Sequence, residues 1–211
     1  MALIFGILLS YLIGSIPTAY LLGKLTKGID IRQHGSGNVG ATNAFRVLGA
    51  PIGITVLILD VLKGVVCVIF IADLILRQRV TIDSLFLRAI LGAVAVLGHS
   101  LTLFLKFKGG KGMATTLGVM IGLSVKSPAI GIILMIEVLI WGALFAMSRI
   151  VSLSSIVSAA FFPLLFIIFK QPLPLVLIGL ILSIFVIFRH KSNIYRLLRN
   201  QEPRLISRPK A

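Results

Sequence analysis

The sequence predicts an all-α membrane protein with seven transmembrane helices, the N-terminus outside and the C-terminus in the cytoplasm. Three observations lead there. Hydrophobic residues make up 58% of the 211 and charged residues 13%, with a mean hydropathy of +1.09. A soluble chain carries roughly 25% charged residues, so this one has too little polar surface to face water. Apolar runs recur between short polar breaks, and a helix needs about 20 such residues, range roughly 17–25, to cross a bilayer. Finally, 21 Lys+Arg stand against 6 Asp+Glu, a net charge of +15, and the cations gather in alternate breaks.

The elements follow in order, as one integral membrane domain over 1–211. Residues 2–23 form the first span. The chain starts apolar with no basic region and more spans follow, so this reads as a span rather than a cleaved signal peptide. A polar, Gly-rich stretch covers 24–49. Pro51 opens the second span, 51–76, and a basic link covers 77–83. The third span is 84–105, interrupted by Lys106-Phe107-Lys108-Gly109-Gly110-Lys111-Gly112. Residues 113–125 give a short fourth helix, for which a re-entrant segment is the rival. After a turn at 126–128 comes the fifth span, 129–147. A link at 148–153 leads to a short sixth span, 154–169. Pro172 and Pro174 mark the next turn, because proline disfavours helix continuation. The seventh span is 175–188, and a basic tail follows.

On this layout one side receives 15 cations and the other 5, with Lys63 inside a span. The positive-inside rule puts the richer side in the cytoplasm. A re-entrant fourth segment would move the basic tail outside, against the rule, so the charges favour a crossing helix.

The remaining composition excludes several function classes. Cys67 is the single cysteine and lies in an apolar run, so no intrachain disulfide or Cys-rich zinc site is available. None of Asp30, Asp60, Asp73, Asp83, Glu137 and Glu202 sits three or four residues from another, so no helical carboxylate pair for a metal is visible and no metal is expected. The high pI does not indicate nucleic-acid binding, because the cations lie between spans. Asp60 and Lys63, at i, i+3, are expected to pair within the membrane, where a lone charge costs about 2.5–3.5 kcal/mol. His99 and Glu137 are expected to make inward polar contacts. Gly118-x-x-x-Gly122 suits close helix packing.

Three polar clusters are predicted to open on the cytoplasmic side. The first is His34-Gly35-Ser36-Gly37-Asn38-Val39-Gly40-Ala41-Thr42-Asn43-Ala44-Phe45-Arg46. Its G-x-G-x-x-G lacks the strand a dinucleotide site needs. Glycine still lets backbone N–H groups approach an oxyanion, Ser36, Asn38, Thr42 and Asn43 add hydrogen bonds, and Arg46 can grip phosphate bidentately. The plain alternative is a flexible loop with a helix start at Ser36 or Thr42. The second cluster, 106–112, is no Walker A motif, because Leu105 and Gly112 stand where Gly and Ser or Thr are needed. It does place glycine backbone donors, a helix N-terminus and three lysines together, which suits phosphate; the alternative is a turn with orienting lysines. The third is Arg189-His190-Lys191-Ser192-Asn193-Ile194-Tyr195-Arg196. His190 and Asn193 share a face if the helix continues, and Glu202 is placed to clamp a nearby Arg or Lys. A basic juxtamembrane tail also meets anionic lipid. Between clusters, Ser148-Arg149-Ile150-Val151-Ser152-Leu153-Ser154-Ser155 offers hydroxyls, whose simplest use is N-capping the sixth helix.

With these blocks in order, the chain resembles the bacterial acyl-phosphate:glycerol-3-phosphate acyltransferase family of small multi-pass membrane enzymes. The resemblance rests on Gly14-Ser15-Ile16-Pro17, Gly35 to Asn43, Asp60-Val61-Leu62-Lys63-Gly64, Gly98-His99, Lys108 to Gly112, Ser148 to Ser152 and Arg189 to Ile194. It implies seven helices, a cytoplasmic active site and a bacterial inner-membrane location. It implies transfer of a fatty acyl group from acyl phosphate, not acyl-CoA, to glycerol 3-phosphate, giving lysophosphatidic acid in phospholipid synthesis, with no cofactor. Consistently, the His-x-x-x-x-Asp of many other glycerolipid acyltransferases is absent: Val39, Phe104 and Tyr195 stand five residues after His34, His99 and His190.

Carried over from the family, Ser36 and Lys111 bind the acyl-phosphate end, while Arg46, Ser155, His190 and Asn193 hold glycerol 3-phosphate. Gly35, Gly37, Asn38, Thr42, Asn43, Lys108, Gly109, Gly110 and Gly112 are expected beside substrate, and Glu202 supports the site. The proton of the attacking hydroxyl goes either to His190, whose imidazole titrates near neutrality, or to the departing phosphate, which is preferred. A soluble enzyme that makes acyl phosphate is a candidate partner on the basic face. The rival classes are a transporter or channel for organic phosphates, which the lack of an internal repeat disfavours, and a membrane scaffold, which leaves both glycine loops unexplained.

Overall fold

A computed structural model describes residues 1–78 and 80–205, and all regular structure among the described residues is helical. Arg79, Arg208 and Lys210, counted above, and the tail from residue 206 lie outside the described residues. Five helical stretches are long and apolar enough to cross a membrane: Ala2–Lys27, Ala50–Leu76, Ser84–Leu105, Pro128–Ser148 and Val151–Ile168. A pair bent by 59°, Leu173–Arg189 with Lys191–Leu198, makes a sixth if counted together. The chain divides into two compact units, Met1–Gly131 and Ile132–Ala211.

In the first unit, helices α1 (Ala2–Ser15) and α2 (Thr18–Lys27) replace the expected straight span over 2–23. Pro17 supplies no N–H and pushes Ile16 into extended backbone, φ −55° and ψ 116°, so the helix breaks there. The carbonyls freed by the break must find donors, since lipid offers none. Lys63 Nζ donates to Ile16 O at 2.5 Å, and Thr102 Oγ1 donates to Ser15 O. α2 stops at Gly28, whose φ of 67° is the left-handed C-cap geometry that glycine takes without strain. The stretch 24–49 is less loop-like than expected, because α3 (Ala41–Leu48) occupies its end.

The second span is α4 (Ala50–Val66), a π-helical turn over Cys67–Ile71, and α5 (Ala72–Leu76). The wider turn offsets its carbonyls, and buried Arg88 answers them. Its Nη1 donates to Val68 O at 2.7 Å, and its Nη2 pairs with Asp73. Arg88 sits in α6 (Ser84–Ser100), which Asp83 caps by accepting from Phe86 N at 2.8 Å. α6 ends five residues before the expected 105, followed by a 3-10 turn over Leu103–Leu105.

α7 (Met113–Ser124) has 12 residues, about 18 Å of helix at ~1.5 Å per residue. Small residues set its packing on α4: a Cβ at Gly118 would stand 1.9 Å from Val61 O, and one at Gly64 would stand 2.3 Å from Thr115 O. The Gly118-x-x-x-Gly122 expectation thus holds, with Gly122 against Val68.

α8 (Pro128–Ser148) runs into the second unit, which continues with α9 (Val151–Ile168), α10 (Leu173–Arg189) and α11 (Lys191–Leu198). α8 and α10 each start earlier than expected because proline is tolerated in a first helical turn, at Pro128 and Pro174. α9 begins at Val151 with Ile150 as its N-cap and no side-chain cap, so none of the hydroxyls over 148–155 takes the capping role that was their simplest use. α10 packs on α9 through a hydrogen bond from Ser183 Oγ to Ala159 O and through Gly179 against Phe162.

Candidate active site

The first-unit site starts from the loop 30–40. Asp30 opens it by accepting from Arg32 N at 3.0 Å and pairing with Arg32 Nη2 at 2.6 Å. The hydrogen bond from the Arg32 guanidinium holds the Asp30 carboxyl at about 2, below its ordinary 3.8. Both ends of the loop are anchored: Ile31 and Val39 are buried with Ala19, Ala44, Leu48, Val56 and Leu105. The tip turns through Gly35 (φ 61°) and Gly37 (φ 70°), which leaves Ser36 exposed between them.

One α3 side chain pins that tip. Asn43, 1% exposed, accepts from Ser36 N at 2.9 Å and donates to His34 O at 3.1 Å and Ile31 O at 3.4 Å. Its amide works inside the loop, so Asn43 holds Ser36 in place. Ser36 Oγ in turn accepts from Asn38 N at 3.4 Å. The helix start falls at Gly40–Ala41, beyond Ser36 and before Thr42. Thr42 is half-buried and Arg46 is exposed in the last turn of α3.

The second loop is built differently from its sequence reading. Lys106 (φ 53°) and Phe107 (φ 62°) turn it through left-handed backbone. Gly109 N donates to Ser100 O and Gly110 N to His99 O, each at 3.1 Å. Those two amides close onto the end of α6 and are not the bare anion donors predicted, because α6's last carbonyls need partners first. Gly112 (φ 90°) then opens α7, with Lys108 exposed and Lys111 half-buried beside it. Val39 of the first loop and Gly109 and Gly110 of the second line one narrow crevice with Thr18, Lys63 and His99.

Beneath the crevice lies a buried polar cluster. Asp60 Oδ1 accepts from Lys63 Nζ at 2.7 Å and from Thr18 Oγ1 at 2.6 Å, and stands 3.6 Å from His99 Nδ1. The expected Asp60–Lys63 pair is present. The inward polar contact expected of His99 is present too, and the participation of Thr18 is additional.

The second unit carries its own polar cluster. Glu202, its side chain 3% exposed, accepts from Asn193 Nδ2, Arg196 Nε and Ser152 Oγ at 2.6, 2.6 and 2.7 Å. Burial pushes the Glu202 carboxyl up, but the hydrogen bonds from Ser152, Arg196 and Asn193 outweigh it and hold it below its ordinary 4.5. The predicted clamp on a cation is therefore Arg196, and Ser152 joins it. His190 sits at the bend between α10 and α11, with Nδ1 2.8 Å from Val186 O. The helix does not continue straight through it, yet His190 and Asn193 are both buried. Ser155 accepts from Trp141 Nε1 at 3.2 Å, and Ser158 donates to Glu137. Trp141 was not anticipated, although as the only tryptophan, placed mid-span, it was a signal.

The profile of the glycerol-3-phosphate acyltransferase family matches residues 4–200, nearly the whole chain. The chain belongs to the glycerol-3-phosphate acyltransferase family. Relatives of that name include the one from Synechococcus elongatus, 44% identical over 94% of this chain and 92% of its own. Another, from Desulforudis audaxviator, is 43% identical over 97% and 96%. The fold is similar to the crystal structure of PlsY, an integral membrane glycerol 3-phosphate acyltransferase, in its glycerol 3-phosphate form. That likeness has TM-score 0.84 and 37% identity and covers 97% of this chain and 96% of that one. The lysophosphatidic acid form of PlsY gives TM-score 0.81, also at 37% identity, over 97% and 95%. The family resemblance read from the motifs is thus borne out over the full set of blocks.

Proposed function

We propose that this chain transfers a fatty acyl group from acyl phosphate to the hydroxyl of glycerol 3-phosphate, releasing inorganic phosphate and lysophosphatidic acid. Family membership supports the acceptor, and the solved relative in glycerol 3-phosphate and lysophosphatidic acid forms supports acceptor and product together. The observation that supports the donor is that Val39 of the first glycine loop and Gly109 and Gly110 of the second line one narrow crevice, in the same two loops that carry exposed Ser36 and Lys108 and half-buried Lys111.

The acyl phosphate is a mixed anhydride with a good leaving group. The glycerol hydroxyl attacks the acyl carbonyl, the acyl C–O bond to phosphate breaks, and the departing phosphate takes the hydroxyl proton. The protein then needs chiefly to position two anions and one carbonyl. Ser36 and Lys111, with the backbone around Gly35, Gly37 and Gly112, are assigned to the donor. By the family resemblance, residue by residue, Arg46, Ser155, His190 and Asn193 are expected to meet the acceptor, and Asn38, Thr42 and Lys108 to stand beside substrate. Asn43 and Glu202 support by holding Ser36 and Asn193. His190 Nδ1 lies 2.8 Å from Val186 O, which fixes the ring at the bend between α10 and α11. Two phosphates repel one another, and Arg46, Lys108 and Lys111 offset this.

The same reading takes α7 as a short fourth crossing in a seven-span, N-outside protein of the bacterial inner membrane. The 15 to 5 cation asymmetry supports it. Purified protein given acyl phosphate or acyl-CoA with glycerol 3-phosphate tests the function: activity confined to acyl-CoA overturns it.

A further inference from the structure

The second glycine loop rests on one residue in two ways. The His99 carbonyl accepts from Gly110 N at 3.1 Å, so His99 backbone fixes the loop's height above α6. The His99 ring stands against the same glycine: a Cβ built on Gly110 would lie 2.0 Å from Nε2 and 2.9 Å from both Cδ2 and Cε1. The imidazole therefore points at Gly110 Cα nearly head-on. A Cβ on Gly109 would lie 2.1 Å from His99 O, so both glycines are needed for this seat.

The ring itself is not free to swing. His99 is 7% exposed, and its Nδ1 faces Asp60 Oδ1 at 3.6 Å, an electrostatic contact longer than a hydrogen bond. Asp60 is fixed by Lys63 and Thr18, and Lys63 is fixed by Ile16 O at the helix break. Asp60 is 0% exposed and its Oδ2 has no hydrogen-bond partner among the described residues. The buried carboxylate is thus held by what meets Oδ1 alone, which ties its position to Lys63, Thr18 and His99.

We propose that His99 is a positioning residue for substrate phosphate: anchored on Asp60 and Lys63, it sets where the Gly109–Gly110 backbone stands and so where Lys108 and Lys111 reach. This rests on the reading that the loop holds a substrate phosphate, with the donor's expected first. No contact of His99 with substrate is required. Phosphate is held through charge-assisted hydrogen bonds that depend on donor position, so a strut under the loop acts on affinity although it is remote from the chemistry.

The test is a steric double-mutant cycle on full-length protein in detergent, with palmitoyl phosphate and glycerol 3-phosphate each titrated. Gly110→Ala in the natural background drives a methyl into the ring and should raise the KM for one phosphate substrate by about tenfold, a loss of ~1.4 kcal/mol in binding. In a His99→Ala background the methyl has room, and the same substitution should cost less than about twofold, the coupling expected of residues in contact. Should His99→Ala fail to fold, Asp60→Asn keeps the ring's volume and removes the charge that orients it. It should likewise raise one KM while kcat holds. Equal costs of Gly110→Ala in both backgrounds, or a fall in kcat with both KM values unchanged, overturns the proposal. A shift confined to the glycerol 3-phosphate KM supports the positioning role and overturns the donor assignment of the loop. Failure of the underlying reading shows separately, as natural protein that does not use palmitoyl phosphate at all.

Discussion

Glu202 and Asn193 are joined by a 2.6 Å hydrogen bond from Nδ2 to Oε1, and that carboxylate also gathers Arg196 and Ser152. One buried acid thereby ties α11 to the first turn of α9. A carboxylate accepts only, which matches three donors, whereas an amide at the same place must turn its NH2 group toward one of them. Glu202→Gln should therefore lower stability by about 1.5–3 kcal/mol, the range for hydrogen bonds to a charged group. Thermal unfolding in detergent measures it.

The same residue gives a pH dependence with a definite sign. The folded Glu202 carboxyl lies below its ordinary 4.5. Its contribution is fully present above the unfolded value and is lost as pH falls through the folded one. Natural protein should lose melting temperature below about pH 4.5, and Glu202→Gln should lack that component. Parallel acid profiles for the two proteins would contradict the clamp.

Trp141 and Ser155 provide a second, independent check. Trp141 Nε1 donates to Ser155 Oγ at 3.2 Å, so the hydroxyl's own hydrogen is directed elsewhere, which suits an anionic ligand. Trp141→Phe keeps the stack on Phe145, whose ring centroid is 5.1 Å away, and removes the N–H. The loss of one neutral hydrogen bond, about 0.5–1.5 kcal/mol, should appear as a severalfold rise in glycerol 3-phosphate KM. In a Ser155→Ala background Trp141→Phe should add nothing; an undiminished effect there would detach Trp141 from substrate binding.

His190 separates two proton acceptors. With the leaving phosphate taking the proton, His190→Gln should raise the glycerol 3-phosphate KM and lower kcat by less than about tenfold. A general base would cost roughly 10²–10⁴-fold in kcat.

The spans were largely legible in the sequence because the bilayer requires long apolar runs and proline marks their breaks. The break at Ile16–Pro17 was missed because residues 2–23 qualify as one apolar run, although Pro17 itself signals it. The π-helical turn at Cys67–Ile71 was invisible because hydropathy runs through it unchanged, and with it the reason for a buried Arg88. In the site, residue types announced the loops but not their wiring. Glycines at 35 and 37 say that the chain must turn; they do not say that Asn43 pins the turn. Likewise Gly109 and Gly110 read as anion donors, while their N–H groups cap α6 and their missing side chains make room for His99. The Asp60–Lys63 pair and the Glu202 clamp were legible, because a charge in or beside a membrane needs a partner close along the chain.

The acyl donor decides the chemistry, and it is read most directly by comparing kcat/KM for palmitoyl phosphate and palmitoyl-CoA with glycerol 3-phosphate on purified protein. Palmitoyl phosphate should be turned over, with phosphate and lysophosphatidic acid released in equal amounts. Lys111→Ala should lower kcat/KM by at least about tenfold, as expected for loss of a charge-assisted phosphate contact. Turnover with palmitoyl-CoA alone, or an unchanged kcat/KM in Lys111→Ala, would contradict the acyl-phosphate assignment.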